Sequence, residues 1–73
     1  MSSKDIENVK FGKRVALLRH ELGLSQEALA FSCDLNRTYM GEIERGEKSP
    51  SLPVIVKIAK GLGISKSTLM DYE

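Results

Sequence analysis

An all-α domain is the fold class this chain predicts, and three observations predict it. Period-two alternation of apolar and polar residues is absent, so nothing reads as a strand. Apolar residues recur instead at spacings of three and four, the repeat of a helix with one face against a core. Serine, asparagine and glycine punctuate these stretches where helices need caps.

The first helix is predicted over about Ile6 to Glu21. Phe11, Val15, Leu18 and Leu22 form its apolar stripe, Leu17 falls off that stripe, and Gly23 closes the helix. Ser25 is placed to N-cap a second helix, Gln26 to Ser32, with Gln26 and Glu27 in its first turn. The apolar residues of this helix are Ala28, Leu29 and Phe31, with the small Ala30 beside them. "CDLN" breaks it, and Asn36 caps a third helix, Arg37 to Glu44, with Met40 and Ile43 inward and Gly46 at its end. "EKSPS" is a loop. Ser51 begins a fourth helix, and Pro53 is tolerated in its first turn, where a missing N–H costs no helical bond. Leu52, Ile55, Ile58, Ala59 and Leu62 are its inner face, and Gly63 terminates it. Gly61 lies within this helix, at an expected cost of about 1 kcal/mol relative to alanine. Ser65 caps a short last helix carrying Leu69 and Met70. Five helices with short connections and no internal repeat result.

The 73 residues predict one domain, 1–73, with its core at about 6–71. That is near the lower limit for a self-sufficient hydrophobic core, so stability must come from close helix packing, with dimer burial added. Charged residues make up 29% of the chain, which together with its apolar content excludes a disordered composition. No apolar run approaches the length of a membrane span. "MSSKDIENVK" lacks the apolar centre of a signal peptide, so a cytoplasmic location is expected. The single cysteine, Cys33, excludes an intrachain disulfide and a cysteine-rich metal site, and a buried inert thiol is expected. His20 stands without metal-ligand spacing and reads as a surface residue. No phosphate-cradling glycine loop, catalytic constellation or cofactor motif is present, so no enzyme activity and no metal are expected.

The segment between the second and third predicted helices carries the functional information. "LGLSQEALA" (22–30), "LNRTYMGEIERGEKSPSL" (35–52) and "IVKIAKGLGIS" (55–65), together with the "FGKRVALLR" opening, resemble the Cro/repressor-type helix-turn-helix family, the Xre-like DNA-binding domains. The resemblance covers nearly the whole chain. It implies a compact five-helix lambda-repressor-like domain with its helix-turn-helix at helices two and three, and it implies binding to double-stranded DNA. Ala30 is small where the two motif helices must cross, and Leu35 plugs the turn. Asp34 departs from the family pattern, which has glycine there because the backbone adopts a positive φ.

With Met40 and Ile43 inward, Arg37, Thr38, Gly41 and Glu42 are left on the outer face of the third helix or at its edge. Such a helix can enter the major groove N-terminal end first. Arg37 is the expected base reader, since a guanidinium can donate two hydrogen bonds to guanine O6 and N7, worth about 1–3 kcal/mol of discrimination. Thr38 and Glu42 are further candidates for base contact, Glu42 through a cytosine amino group. Gln26, Tyr39, Lys48, Ser49 and Arg45 are candidates for phosphate contact, Gln26 by both the resemblance and the anion preference of a helix start. Lys13 and Arg14 are weaker candidates.

One feature opposes a nucleic-acid reading: the net charge is only +1, and "DLNRTYMGEIERG" sets two arginines against three carboxylates. Arg19 borders the stripe of helix one and Glu44 borders the inner face of helix three. In the resembling family such positions pair, which implies a partly buried salt bridge that takes Glu44 off the docking face. The local field there, not the total charge, then governs encounter.

A module this small reads few base pairs, so a homodimer on an inverted-repeat operator is expected. Ile64, Leu69, Met70 and Tyr72, with Leu62, are the expected dimer surface. The chain ends almost at the fifth helix, so no small-molecule effector is expected. Compact members of the family include phage repressors, antitoxins and the controller proteins of restriction–modification systems, and "NRTYMGEIERG" looks most like the controllers. The alternatives are an antitoxin-like or adaptor interaction module that does not read DNA, and a DNA-binding fragment of a longer regulator. The acidic content near helix three favours the interaction module; Arg37, Thr38 and Gln26 oppose it.

Overall fold

A computed structural model describes residues 3–72, with side chains for 5–72. Five helices follow in order: α1 (Ser3–Glu21), α2 (Gln26–Ser32), α3 (Arg37–Glu44), α4 (Leu52–Leu62) and α5 (Lys66–Leu69). No strand occurs among the described residues.

Three helices begin on side-chain caps that satisfy an otherwise orphaned N–H. Ser25 Oγ accepts from Ala28 N at 3.0 Å, Asn36 Oδ1 from Tyr39 N at 2.7 Å and Ser65 Oγ from Thr68 N at 3.1 Å. Ser51 occupies the same position before α4 but makes no side-chain cap; Pro53 in the first turn removes one of the N–H groups a cap would serve. α1 starts earlier than Ile6, with Asp5 in its first turn, where a carboxylate complements the helix dipole.

α1 to α4 all end by one device. A residue with positive φ turns the chain, and the N–H after it bonds to a carbonyl five residues back. The bonds are Leu24 N to Arg19 O at 3.1 Å, Leu35 N to Ala30 O at 2.8 Å, Glu47 N to Glu42 O at 2.9 Å and Ile64 N to Ala59 O at 3.0 Å. The turning residues are Gly23, Asp34, Gly46 and Gly63. Asp34, at φ 58°, is the only one that is not glycine.

The core gathers Phe11 and Val15 from α1, Leu29 and Ala30 from α2, Met40 and Ile43 from α3, Ile58, Ala59 and Leu62 from α4, and Leu69 from α5. Cys33 is enclosed with them. Two glycines set how closely the helices approach. A Cβ on Gly12 would run into the Ile43 carbonyl oxygen and lie 2.6 Å from that of Glu44, so α1 crosses directly over the end of α3. A Cβ on Gly61 would strike Cys33 Sγ and come within 3.1 Å of Cys33 N. The cost expected of Gly61 inside α4 therefore has a packing reason: alanine does not fit between α4 and α2.

Several side-chain placements correct the sequence reading. Leu22 is exposed because it follows the last residue of α1, where the chain has begun to turn away from the stripe. Leu52 is exposed because it opens α4 ahead of the turns that carry the buried Ile58, Ala59 and Leu62. Phe31 is 79% exposed; Leu29, Ala30 and Cys33 define the buried face of α2, and Phe31 projects from the opposite one. Arg14, a weaker candidate for phosphate contact, is engaged within the chain. Its Nη2 donates to Thr68 O at 2.7 Å and its Nε to Leu69 O at 3.2 Å, closing the carbonyl end of α5. Lys13 is exposed.

Leu69, expected at a dimer surface, is fully enclosed within the single chain. It is the one apolar residue through which α5 reaches the core, and a second chain has no access to it. Its neighbour Met70 points outward.

Candidate nucleic-acid interface

Two fully buried side chains, Met40 and Ile43, fix the rotation of α3 about its axis. With those positions inward, Arg37 and Thr38 stand exposed on its first turn. The Asn36 cap holds that turn, and the left-handed Asp34 sets the angle at which the chain enters it. Tyr39 is half-buried and packs against the core, and Glu42 is half-buried at the edge of the face.

Glu44 is turned inward, with only 5% of its side chain exposed. Oε2 accepts Arg19 Nε at 2.7 Å, and Oε1 accepts Arg19 Nη2 and Gln26 Nε2, each at 3.0 Å. Arg19 Nη1 donates to the Leu24 carbonyl at 2.8 Å, and its Nη2 lies 3.3 Å from Nε2 of the exposed His20. Charge and hydrogen-bonding capacity are thus matched in one hub joining α1, the α1–α2 turn, the start of α2 and the end of α3. The hub also claims the side-chain amide of Gln26. A phosphate contact from Gln26 would then come from the backbone N–H at the start of α2 or from the amide's remaining hydrogen.

Gly41 is buried beneath two side chains, not open on the outer face. A Cβ there would lie 3.1 Å from Arg45 Nη1 and 3.5 Å from Gln26 Oε1, so the side chains of Gln26 and Arg45 converge over it. Arg45 follows the last residue of α3 and is exposed. Its Nε donates to Glu47 Oε2 at 2.6 Å and its Nη2 to Glu47 Oε1 at 3.3 Å. That hydrogen bond is the main cause holding the Glu47 carboxyl below the usual carboxylate range. Lys48 and Ser49 are exposed on the loop that follows. Asp34 stands at the turn, with its carboxylate 3.8 Å from Lys57 Nζ of α4.

The Arg45–Glu47 contact escapes a sequence reading because helical periodicity pairs residues three or four apart, whereas these two stand either side of the turning Gly46. Of the four remaining candidates for a dimer surface, Leu62 is buried in the core of the single chain, and the other three line two different grooves. Ile64 lines an apolar groove with Leu18, Leu22 and Leu62. Met70 and Tyr72 line another with Phe11, Pro50 and Ile55. Among the described residues no cluster of side chains could hold a metal ion, and no helix is long and apolar enough to cross a membrane.

A helix-turn-helix family model matches residues 15–72, from the second half of α1 to beyond α5. The control protein C.BamHI of Bacillus amyloliquefaciens is 48% identical over 63 residues, spanning 85% of this chain and 78% of that protein. The control protein C.MunI of a Mycoplasma species is 45% identical over 64 residues, 86% of each chain. The crystal structure of the restriction-modification controller protein C.AhdI from Aeromonas hydrophila has a TM-score of 0.85 to this fold at 47% identity, covering 88% of this chain and 97% of that one. The chain belongs to the helix-turn-helix family.

Proposed function

We propose that this protein is a sequence-specific double-stranded DNA-binding transcriptional regulator that acts in the cytoplasm as a homodimer on an inverted-repeat operator. The observation that carries this reading is the orientation of α3: Met40 and Ile43 are wholly enclosed while Arg37 and Thr38 are exposed at the leading end. Arg37, Thr38 and Glu42 are the base-contact residues in this reading. Tyr39, Lys48, Ser49, Arg45 and the start of α2 at Gln26 position the backbone. The inward turn of Glu44 supports it, since that carboxylate is spent on Arg19 and Gln26 and does not face a phosphate. Similarity to C.BamHI, C.MunI and C.AhdI over most of each chain supports a role in control of a restriction–modification system. Ile64, with its groove, or Met70 and Tyr72 supply the dimer contact. Selection of bound sites from random duplex DNA tests the reading. An inverted-repeat consensus is expected; recovery of no consensus would transfer the chain to the interaction-module class.

A further inference from the structure

The contact between Arg45 and Glu47 is unlike a floating surface ion pair. Glu47 N–H is the donor that closes the end of α3 on Glu42 O, so the backbone of Glu47 is fixed relative to the helix. Gly46 supplies the left-handed turn that brings the carboxylate back beside the guanidinium. On its other side the Arg45 Nη1 lies over Gly41, 3.1 Å from where a Cβ would stand. Both side chains remain more than half exposed, so a competing anion can reach the guanidinium. A carboxylate and a phosphate present paired oxygens to an arginine in the same way. Lys48, next in the chain, lies close enough to Glu47 to help hold its carboxyl charged.

We propose that Glu47 is an internal stand-in for a DNA phosphate: it holds the Arg45 guanidinium in a docking-ready orientation and yields it to a backbone phosphate when α3 enters the groove. The proposal rests on the reading of α3 as the recognition helix. Exchange of one anion for another leaves Arg45 pre-oriented but withholds part of its charge from the encounter. Affinity is thereby lowered and salt dependence softened. A phosphate contact carries no sequence information, so the effect is the same on any duplex.

The test is equilibrium binding over a range of salt concentrations, for the full chain and its Glu47→Gln, Arg45→Gln and doubly substituted variants. Each is measured on a duplex recovered by site selection and on a random-sequence duplex of equal length. Thermal melts followed by circular dichroism show that all four are folded. Glu47→Gln is expected to tighten binding roughly fivefold to tenfold per protomer near 0.1 M salt and to steepen the slope of log K against log salt by a fraction of the roughly 0.9 that one whole phosphate contact contributes. Both changes should appear on both duplexes and vanish in the Arg45→Gln background. Unchanged affinity and slope, an effect confined to the selected site, or an effect that persists without Arg45 would each overturn the proposal. Failure of the unsubstituted protein to bind either duplex would instead bring down the functional reading, and this proposal with it.

Discussion

Arg19 and Glu44 form a two-pronged ion pair, Nε to Oε2 at 2.7 Å and Nη2 to Oε1 at 3.0 Å, at the place where α1 crosses the end of α3. The pair settles a conflict within the composition. A chain of net charge +1 with three carboxylates in and around α3 is an unpromising partner for DNA. Glu44, however, is folded inward and neutralised, and it accepts Gln26 as well, so one residue holds both motif helices against α1. Removal of either partner strands a desolvated charge. Arg19→Ala and Glu44→Ala should each cost about 3–5 kcal/mol in urea unfolding, and an apolar pair of matching volume should cost much less than either. Single substitutions within about 1 kcal/mol of the parent would contradict the hub's structural role.

Asp34 turns α2 into α3 at φ 58°, where the other three helix ends use glycine. A Cβ is disfavoured in that region, while glycine gives back part of the advantage through the entropy of the unfolded chain. Asp34→Gly is expected to raise stability by about 0.5–1 kcal/mol, and Asp34→Val to lower it by more. Chemical denaturation of the two variants checks the direction.

Gly61 illustrates a propensity rule overruled by packing. Alanine there would favour the helix in isolation by about 1 kcal/mol. In the fold its methyl collides with Cys33 Sγ and crowds Cys33 N. Gly61→Ala should therefore destabilise by about 1–3 kcal/mol, the range for overpacking. Adding Cys33→Ala removes the sulfur and should recover part of the loss, a coupling a double-mutant cycle reads directly.

Burial pushes the Cys33 thiol up from 9.0 to about 11. At neutral pH the folded protein thus holds an unreactive thiol, and alkylation should wait on unfolding. Between pH 9 and about 11 the unfolded chain loses this proton while the folded chain keeps it. The stabilisation is complete below pH 9 and falls through that window, by about 1.4 kcal/mol per pH unit at the steepest. Cys33→Ala should remove this portion of the alkaline slope from a stability–pH curve.

The bounds of α2 and α3 match their sequence reading because polar caps and turning residues mark both ends of each. The start of α1 is not legible in this way: no apolar residue stands between Met1 and Ile6, and periodicity has nothing to register there. Leu22 and Leu52 depart from the sequence expectation for one reason. Each extends a helical stripe into a position where the chain is entering or leaving the helix. Leu69 and Met70 share an apolar character, and only the docking of α5 decides that one turns in and the other out. At the candidate interface Arg37 and Thr38 were legible from the inward Met40 and Ile43. Glu47 was not, because its partner stands across a glycine turn, and neither was the carbonyl-capping role of Arg14, whose partners lie at the far end of the sequence.

Arg37, exposed on the first turn of α3, is expected to read a base, and site selection from random duplex DNA with the parent and Arg37→Ala decides the matter. The parent should yield an inverted repeat. The variant should lose its preference at one symmetric base-pair position while keeping weak, salt-sensitive binding, a loss of about 1–3 kcal/mol of discrimination there. A consensus of equal strength at every position for the two proteins would show that Arg37 reads no base.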